Sequence, residues 1–478
     1  MSAPAPNNGP KNGQSAVYAA IWRWHFIAGL IVLPVLTLLA VTGGLYLFKP
    51  ELDHLTYRRF EDVPVRAQLT LSADRLVEDV QAATGGRVLQ LTPAERPGRA
   101  VRLLVRGSDG RALTAFADPW DGHLTGVTAY GGIMQLVRKI HSLQKFGFWA
   151  SLVVETAAGW AIVMVLTGVY LWWPRGRDGR RGGVVTVRAG PRRRVFWRDL
   201  HAVTGAFTGA VILFLAVTGM PWSLVWGDHV QRWATAANLY EPKAPAKVTP
   251  AWMLTMDMPA KHEAHGVGGQ MSMPMPEAKP DLPWALEKAP QPASAAAAGR
   301  AAISIDAALA ALDRLGLKRP YSLALPDGPE GAFVGDYRPD RVEDSRTVYL
   351  DQYSGAVLKD VGFKDWGPAA KAIEWGIAVH QGQEYGPVNR WLMLAGCLAV
   401  LLLAVSSVVM WWKRRPAGRL AVPPAPADRR GYAGLAAIVA PLAILYPLVG
   451  ASILVGLGLD WGLRRIVRLR VEAAQRSG

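Results

Sequence analysis

Cysteine is almost missing from this chain of 478 residues: Cys397, inside an apolar run, is the single copy. One thiol excludes an intramolecular disulfide, a cysteine-ligated iron–sulfur cluster and a C-x-x-C-H covalent haem attachment. Acidic residues are sparse as well, 37 against 53 Lys and Arg, for a net charge of +16. No G-x-G-x-x-G follows a strand-like run, so the chain carries no dinucleotide fingerprint of its own. Charge of either sign is lacking from several long stretches. Each is long enough, at about 20 residues, for a helix to cross ~30 Å of hydrocarbon. A wholly soluble protein is thereby excluded. The length exceeds one ordinary domain, so two or more folded units are expected.

What is present is organised by those apolar runs. Four read as membrane helices, with cores at roughly 22–48, 147–173, 200–226 and 388–412. The first is too long for a cleaved signal peptide, and no A-x-A site follows it. Between the second and third lies 174–198, with nine arginines against one aspartate, and 413-KRRPAGR-419 follows the fourth. Short arginine-rich loops stay in the cytoplasm. The positive charge therefore reports topology and calls for no nucleic-acid partner; the membrane lipid itself is the partner implied.

The expected order is a cytoplasmic tail (1–21), span one (22–48), an outer domain (49–140), span two (141–173), a basic loop (174–198) and span three (199–227). A second outer domain (228–379), span four (380–412), a loop (413–431), a fifth apolar stretch (432–461) and a basic tail (462–478) complete it. The fifth stretch is a span or a membrane hairpin. Pro441 and Pro447 would break it, and a hairpin keeps Arg464, Arg465, Arg468 and Arg470 inside.

The chain repeats itself. His25 and His201 stand 176 residues apart near the start of two spans, and the same shift carries Gly29 onto Gly205 and 39-LAVTG-43 onto 215-LAVTG-219. A shift of 239 carries His141 onto His380, Gln144 onto Gln383, Gly147 onto Gly386 and Trp172-Trp173 onto Trp411-Trp412. The outer segments repeat too. Helical stretches open at Ser72 and Ser304, and alternating runs turn at 114-TAFADPWDG-122 and 347-TVYLDQYSG-355. The fold class is thus a membrane α-helical bundle, four core spans plus the fifth span or hairpin, with two α+β outer domains and an internal duplication.

Two halves in the same orientation are related by an axis along the membrane normal. That axis pairs His25 with His201 toward the cytoplasm and His141 with His380 toward the outside. Opposed imidazoles on a shared axis are the ligand set of six-coordinate haem b, so two bis-histidine haems are expected. Gly29 and Gly205 lie four residues beyond their histidines on the same helix face and would make room for a macrocycle. Arg23, Arg198, Arg138 and Lys139 stand close in sequence to a ligand, where they could pair with propionates. A rival pair, His54 and His229, follows spans one and three one residue out of repeat register; His123 falls on a turn. The nineteen tryptophans, many at span ends, read mainly as an interfacial belt.

Filled axial positions leave electron transfer as the chemistry. Outward movement from a negative interior is favoured by ~2.3 kcal/mol per 100 mV. The donor is expected to be a separate flavoprotein, a reduced flavin or a quinol.

The H-x-x-x-G…L-A-V-T-G spans, W-W-x-R exits, D-x-x-x-G turns and 283-PWALEKAP-290 resemble the PepSY-associated transmembrane proteins, over about 20–460. That family includes inner-membrane ferric-siderophore reductases of Gram-negative bacteria. The resemblance implies PepSY-type periplasmic domains, b-type haems held by His25, His141, His201 and His380, and reduction of a periplasmic ferric chelate, which loosens hard-oxygen chelation. Arg138, Lys145, Glu384 and Tyr385 neighbour the outer histidines and are candidate substrate contacts; no acid–base residues are assigned.

An insert at about 240–300 points elsewhere. Its Met256, Met258, His262, His265, Met271, Met273 and Met275 are soft ligands suited to copper(I), which would suit a cupric reductase. The same composition also describes an irregular loop without a ligand. A third reading, from PepSY modules as inhibitory domains, is a membrane-tethered binding or regulatory protein without redox chemistry.

Overall fold

The structure, a computed structural model, describes residues 12–67, 69–174, 183–237, 239, 286, 291–295, 301–415, 423, 428 and 431–476. The possible copper ligands between 256 and 275 lie outside them.

The order of elements repeats as the sequence does. The first half runs α1 (Asn12–Tyr46), α2 (Lys49–Glu61), α3 (Ala73–Thr84), β1 (Arg87–Thr92), β2 (Val101–Arg106), β3 (Ala112–Ala117), β4 (Leu124–Ala129), α4 (Gly132–His141) and α5 (Phe148–Trp172). The second runs α6 (Arg194–Gly219), α7 (Trp226–Ala236), α8 (Ile305–Arg314), β5 (Ser322–Ala324), β6 (Ala332–Tyr337), β7 (Arg346–Asp351), β8 (Val357–Gly362), α9 (Pro368–His380) and α10 (Gly386–Arg414). Two helices, α11 (Gly431–Leu445) and α12 (Pro447–Arg476), follow without a counterpart.

Among the described residues four helices are long and apolar enough to cross a membrane: α1, α5, α6 with its short extension, and α10. They close a ring in which α1 and α6 each touch both α5 and α10. The stretch 141–173, expected as one span, is two elements. Leu143 (φ 54°) and Gly147 (φ 94°) sit in the left-handed region and end the helical path between α4 and α5. Gly382 and Gly386 do the same between α9 and α10. His141 and His380 are therefore the last residues of short helices that dip in from the sheet side.

The fifth apolar stretch is likewise two helices, and neither apolar part reaches span length. A Cβ built on Gly450 would lie 2.9 Å from the carbonyl of Ala443, so α12 turns back sharply after Tyr446. The bend packs on the first half: Val449 fits against Gly159, and Trp160 Nε1 donates to Ser452 Oγ at 2.9 Å.

The two segments between the spans are not separate domains. Their strands form one antiparallel eight-stranded sheet, ordered β4-β3-β2-β1-β5-β6-β7-β8. The halves join where Gln90 pairs with Ala324 and Leu91 with Leu323. Both expected caps are made: Ser72 Oγ accepts from the Arg75 N–H (3.2 Å) and Ser304 Oγ from the Ala307 N–H (3.1 Å). The apolar faces of α3 and α8 cover one side of the sheet, burying Val80 with Leu103 and Val105, and Leu312 with Leu323 and Val348. Both D-x-x-x-G turns form, with Asp118 and Asp351 accepting from downstream backbone and Gly122 and Gly355 at φ 72° and 70°.

Candidate functional site

The halves deliver their histidines to the helix ring in matched pairs. His25 on α1 and His201 on α6 lie toward the arginine-rich loops, with ring centroids 6.5 Å apart and planes at 90°. A metal–imidazole bond of about 2.0–2.1 Å implies that two rings on either side of one ion have centroids about 6–7 Å apart. The observed spacing has that size. His141 and His380 both line a cavity of about 1860 Å³ that reaches from the helix ring to Ala112, Ala324 and Val334 of the sheet. Small-molecule sites are commonly about 300–1,000 Å³, so this one has room to spare. Along α1, His25 and the His141 contact at Thr42 are separated by about 25 Å, at about 1.5 Å per residue. The pairs stand at opposite ends of the core.

Each ring meets one hydroxyl through Nδ1. His25 faces Thr167 (2.9 Å), His201 faces Ser406 (3.0 Å), His141 faces Thr42 (2.8 Å) and His380 faces Thr218 (2.9 Å). These partners keep the spacings of the histidines: Thr42 and Thr218 are 176 residues apart, Thr167 and Ser406 are 239 apart. A glycine follows three of them, and there the ring lies close. A Cβ on Gly43 would come 3.3 Å from His141 Cε1, on Gly168 3.3 Å from His25 Cε1 and on Gly219 3.5 Å from His380 Cε1.

Other contacts hold the sheet-side histidines. Tyr57 Oη accepts from the Ile133 N–H at 2.7 Å and fixes the start of α4. Asn389 Nδ2 donates to the Val379 carbonyl at 2.8 Å beside His380. Buried Glu384 accepts from the Val342 N–H at 2.9 Å, tying the turn after His380 to the sheet region.

The remaining candidates divide. Arg138, Lys139 and Lys145 line the cavity beside His141. Arg23 instead donates to the carbonyl of Pro423, and Arg198 bonds Asp199 at 2.7 and 3.1 Å. Gly29 lies against Met164 and Gly205 against Leu403. Among the described residues, the glycines that face the four histidine rings are Gly43, Gly168 and Gly219. Tyr385 is held by Trp375 Nε1 at 2.9 Å. His54 faces Glu61 and Arg99, and His229 faces the Val225 carbonyl, so this rival pair is engaged elsewhere. His123 is exposed on its turn.

Sequence reasoning missed the four hydroxyls, although the repeated LAVTG strings contain two of them with their glycines. Thr167 and Ser406 sit in apolar runs with nothing local to mark them.

The donor set suits haem. Among the described residues no group of three or more His, Cys, Asp or Glu could hold a bare metal ion. Each histidine pair would supply two nitrogen donors to a planar ligand that brings its own nitrogens to the iron. Among curated proteins nothing matches this chain. The family model described as "PepSY-associated TM region" matches residues 22–414, and the chain belongs to that family.

Proposed function

We propose that the protein is a haem b-dependent membrane oxidoreductase that passes electrons from its arginine-rich side to a ferric chelate on its sheet side. The observation that carries this reading is the placing of two histidine pairs, each drawing one residue from each half, at opposite ends of one helix ring. His25 with His201, and His141 with His380, would hold the iron of one haem per pair. Bound haem supplies one-electron chemistry by cycling between ferric and ferrous iron.

The chain's own residues do the rest. Apolar walls from α1, α5, α6 and α10 surround the half-buried rings. Arg138 and Lys139 bring positive charge to the cavity edge near His141, where carboxylates can be neutralised. The part of the cavity under the sheet offers space for a chelate within reach of the outer pair. Arginine-rich loops on the other face fit a cytoplasmic side, and hence a bacterial inner membrane with the sheet in the periplasm. The donor is then a separate flavoprotein, reduced flavin or quinol.

The test is a dithionite-reduced minus oxidised spectrum of the purified full chain, with haem quantitation. We expect one b-type haem per histidine pair. His141→Ala or His380→Ala should remove one, and His25→Ala or His201→Ala the other. Wild type without pigment would end the reading in favour of a binding or regulatory protein. Stopped-flow reoxidation with ferric chelates and with copper(II) separates iron from copper, the metal favoured by the Met- and His-rich composition of 253–277.

A further inference from the structure

We propose that Thr42, Thr167, Thr218 and Ser406 are positioning residues that hold the four histidines as Nδ1–H tautomers, so that each presents an unprotonated Nε2 to an iron-bearing planar ligand. The ligand rests on the haem reading above; the tautomer does not.

A neutral imidazole carries one ring proton, and either nitrogen can hold it. Here the hydroxyls decide. Thr42 Oγ1 lies 2.6 Å from the Leu38 carbonyl, Thr218 Oγ1 2.7 Å from that of Phe214 and Thr167 Oγ1 2.8 Å from that of Val163. Ser406 Oγ lies 3.0 Å from the Leu403 carbonyl. A carbonyl oxygen only accepts, so each hydroxyl commits its single proton to its own helix. What it turns toward the histidine is a lone pair, and a lone pair is satisfied by an N–H. Nδ1 therefore carries the proton in all four rings, and the nitrogen left basic is Nε2.

A metal-ligating histidine depends on such a partner, because the bond made by one nitrogen sets the tautomer and the ring direction at the other. Two features argue against four accidental contacts. The hydroxyls lie on a different helix from the histidine they meet in every case: α5 for α1, α10 for α6, α1 for α4 and α6 for α9. They are also repeat-equivalent in both pairs. Thr37 and Thr208 make the same intrahelical bond, to Leu33 and Thr204, and show that back-bonding is the ordinary state of these membrane threonines.

The test uses the full chain as purified, with ¹⁵N-labelled histidine, and two readouts. The first is the set of ring N–H resonances. Wild type should show Nδ1–H signals slow to exchange with water, and Thr42→Val should abolish the one from His141 while Thr42→Ser keeps it. Thr218→Val, Thr167→Val and Ser406→Ala should act likewise on His380, His25 and His201. The second readout is haem transfer to a scavenger protein, expected to be faster by about 10- to 100-fold in each hydroxyl deletion, the usual cost of losing such a partner. Thr42→Ser should restore the wild-type rate, and the control Thr37→Val should not change it. Nε2–H signals in wild type, or hydroxyl deletions that leave both readouts unchanged, would overturn the proposal with or without pigment. Nδ1–H signals in a chain that binds no haem would instead sink the haem reading and leave the tautomer assignment standing.

Discussion

Asp74 and Asp306 each cap the helix that the other begins. The Asp74 carboxylate accepts from the N–H groups of Ile305 (2.9 Å) and Asp306 (3.2 Å), and that of Asp306 accepts from Ala73 (3.0 Å) and Asp74 (3.3 Å). Each also stands in the first turn of its own helix, where the macrodipole favours negative charge. With the β1–β5 ladder, this crossed pair joins the two halves of the sheet region.

Asp74→Ala should therefore weaken α8 as well as α3, and Asp306→Ala the converse. Each is expected to cost about 0.5–2 kcal/mol, the usual value of a helix cap. Urea unfolding of the detergent-solubilised chain, followed by far-UV circular dichroism, reads the shift. Midpoints equal to wild type would remove the crossed caps from the account of the junction.

Gly43→Ala and Gly219→Ala should differ although their repeat positions match. The added Cβ would lie 3.3 Å from His141 Cε1 in the first and 3.5 Å from His380 Cε1 in the second. The first is tighter than ordinary van der Waals contact and must push the ring by a few tenths of an ångström; the second is nearly free. Haem content and Soret position should change more for Gly43→Ala, and the reverse order would contradict the geometry.

Asp199 is fully buried and grips the loop before α6. It accepts from Arg188 Nε (2.7 Å) and Nη2 (2.9 Å) and from Arg198 Nη2 (2.7 Å). Hydrogen bonds to a charged group contribute about 1.5–3 kcal/mol. Asp199→Ala should release the loop and raise tryptic cleavage after Arg188 on the order of tenfold, the factor that about 1.4 kcal/mol gives. Cleavage at the wild-type rate would show that the loop is held by other contacts.

Acid should weaken the sheet's far edge. Arg346 meets Asp360 through two bonds, of 2.9 and 2.7 Å, and those bonds hold the Asp360 carboxyl below its ordinary range. A carboxyl with a depressed folded pKa stabilises the fold fully above its unfolded value, near pH 3.9, and loses that contribution as pH falls through the folded value. Asp360→Asn should flatten stability against pH below about pH 4. The change should stay under about 1 kcal/mol, because the pair is partly open to solvent. An unchanged acid limb would assign it to other carboxylates.

How much of this was legible in the sequence depends on how far apart the interacting residues are. His25, His201, His141 and His380 could be paired from two constant shifts, because a repeated spacing is visible in the text of the sequence. Ser72 and Ser304 could be read as caps because capping is local. The join of β1 to β5 could not, since it rests on two residue pairs more than 230 positions apart and alternation alone says only that each strand has an inner face. The break at Leu143 was hidden for a different reason: a leucine gives no warning of positive φ. Thr167 and Ser406 were missed because a back-bonded hydroxyl inside an apolar helix looks like filler until the opposing ring is seen.

The shared sheet has a mechanical meaning. A carrier that works by tilting one half against the other needs a soft seam between them. Here the seam is a hydrogen-bonded ladder backed by two interlocked helix starts, and each half is fastened to its own membrane helices. Any swing of one pair of helices past the other would have to unzip it. Sheet and caps together brace the two halves as one body.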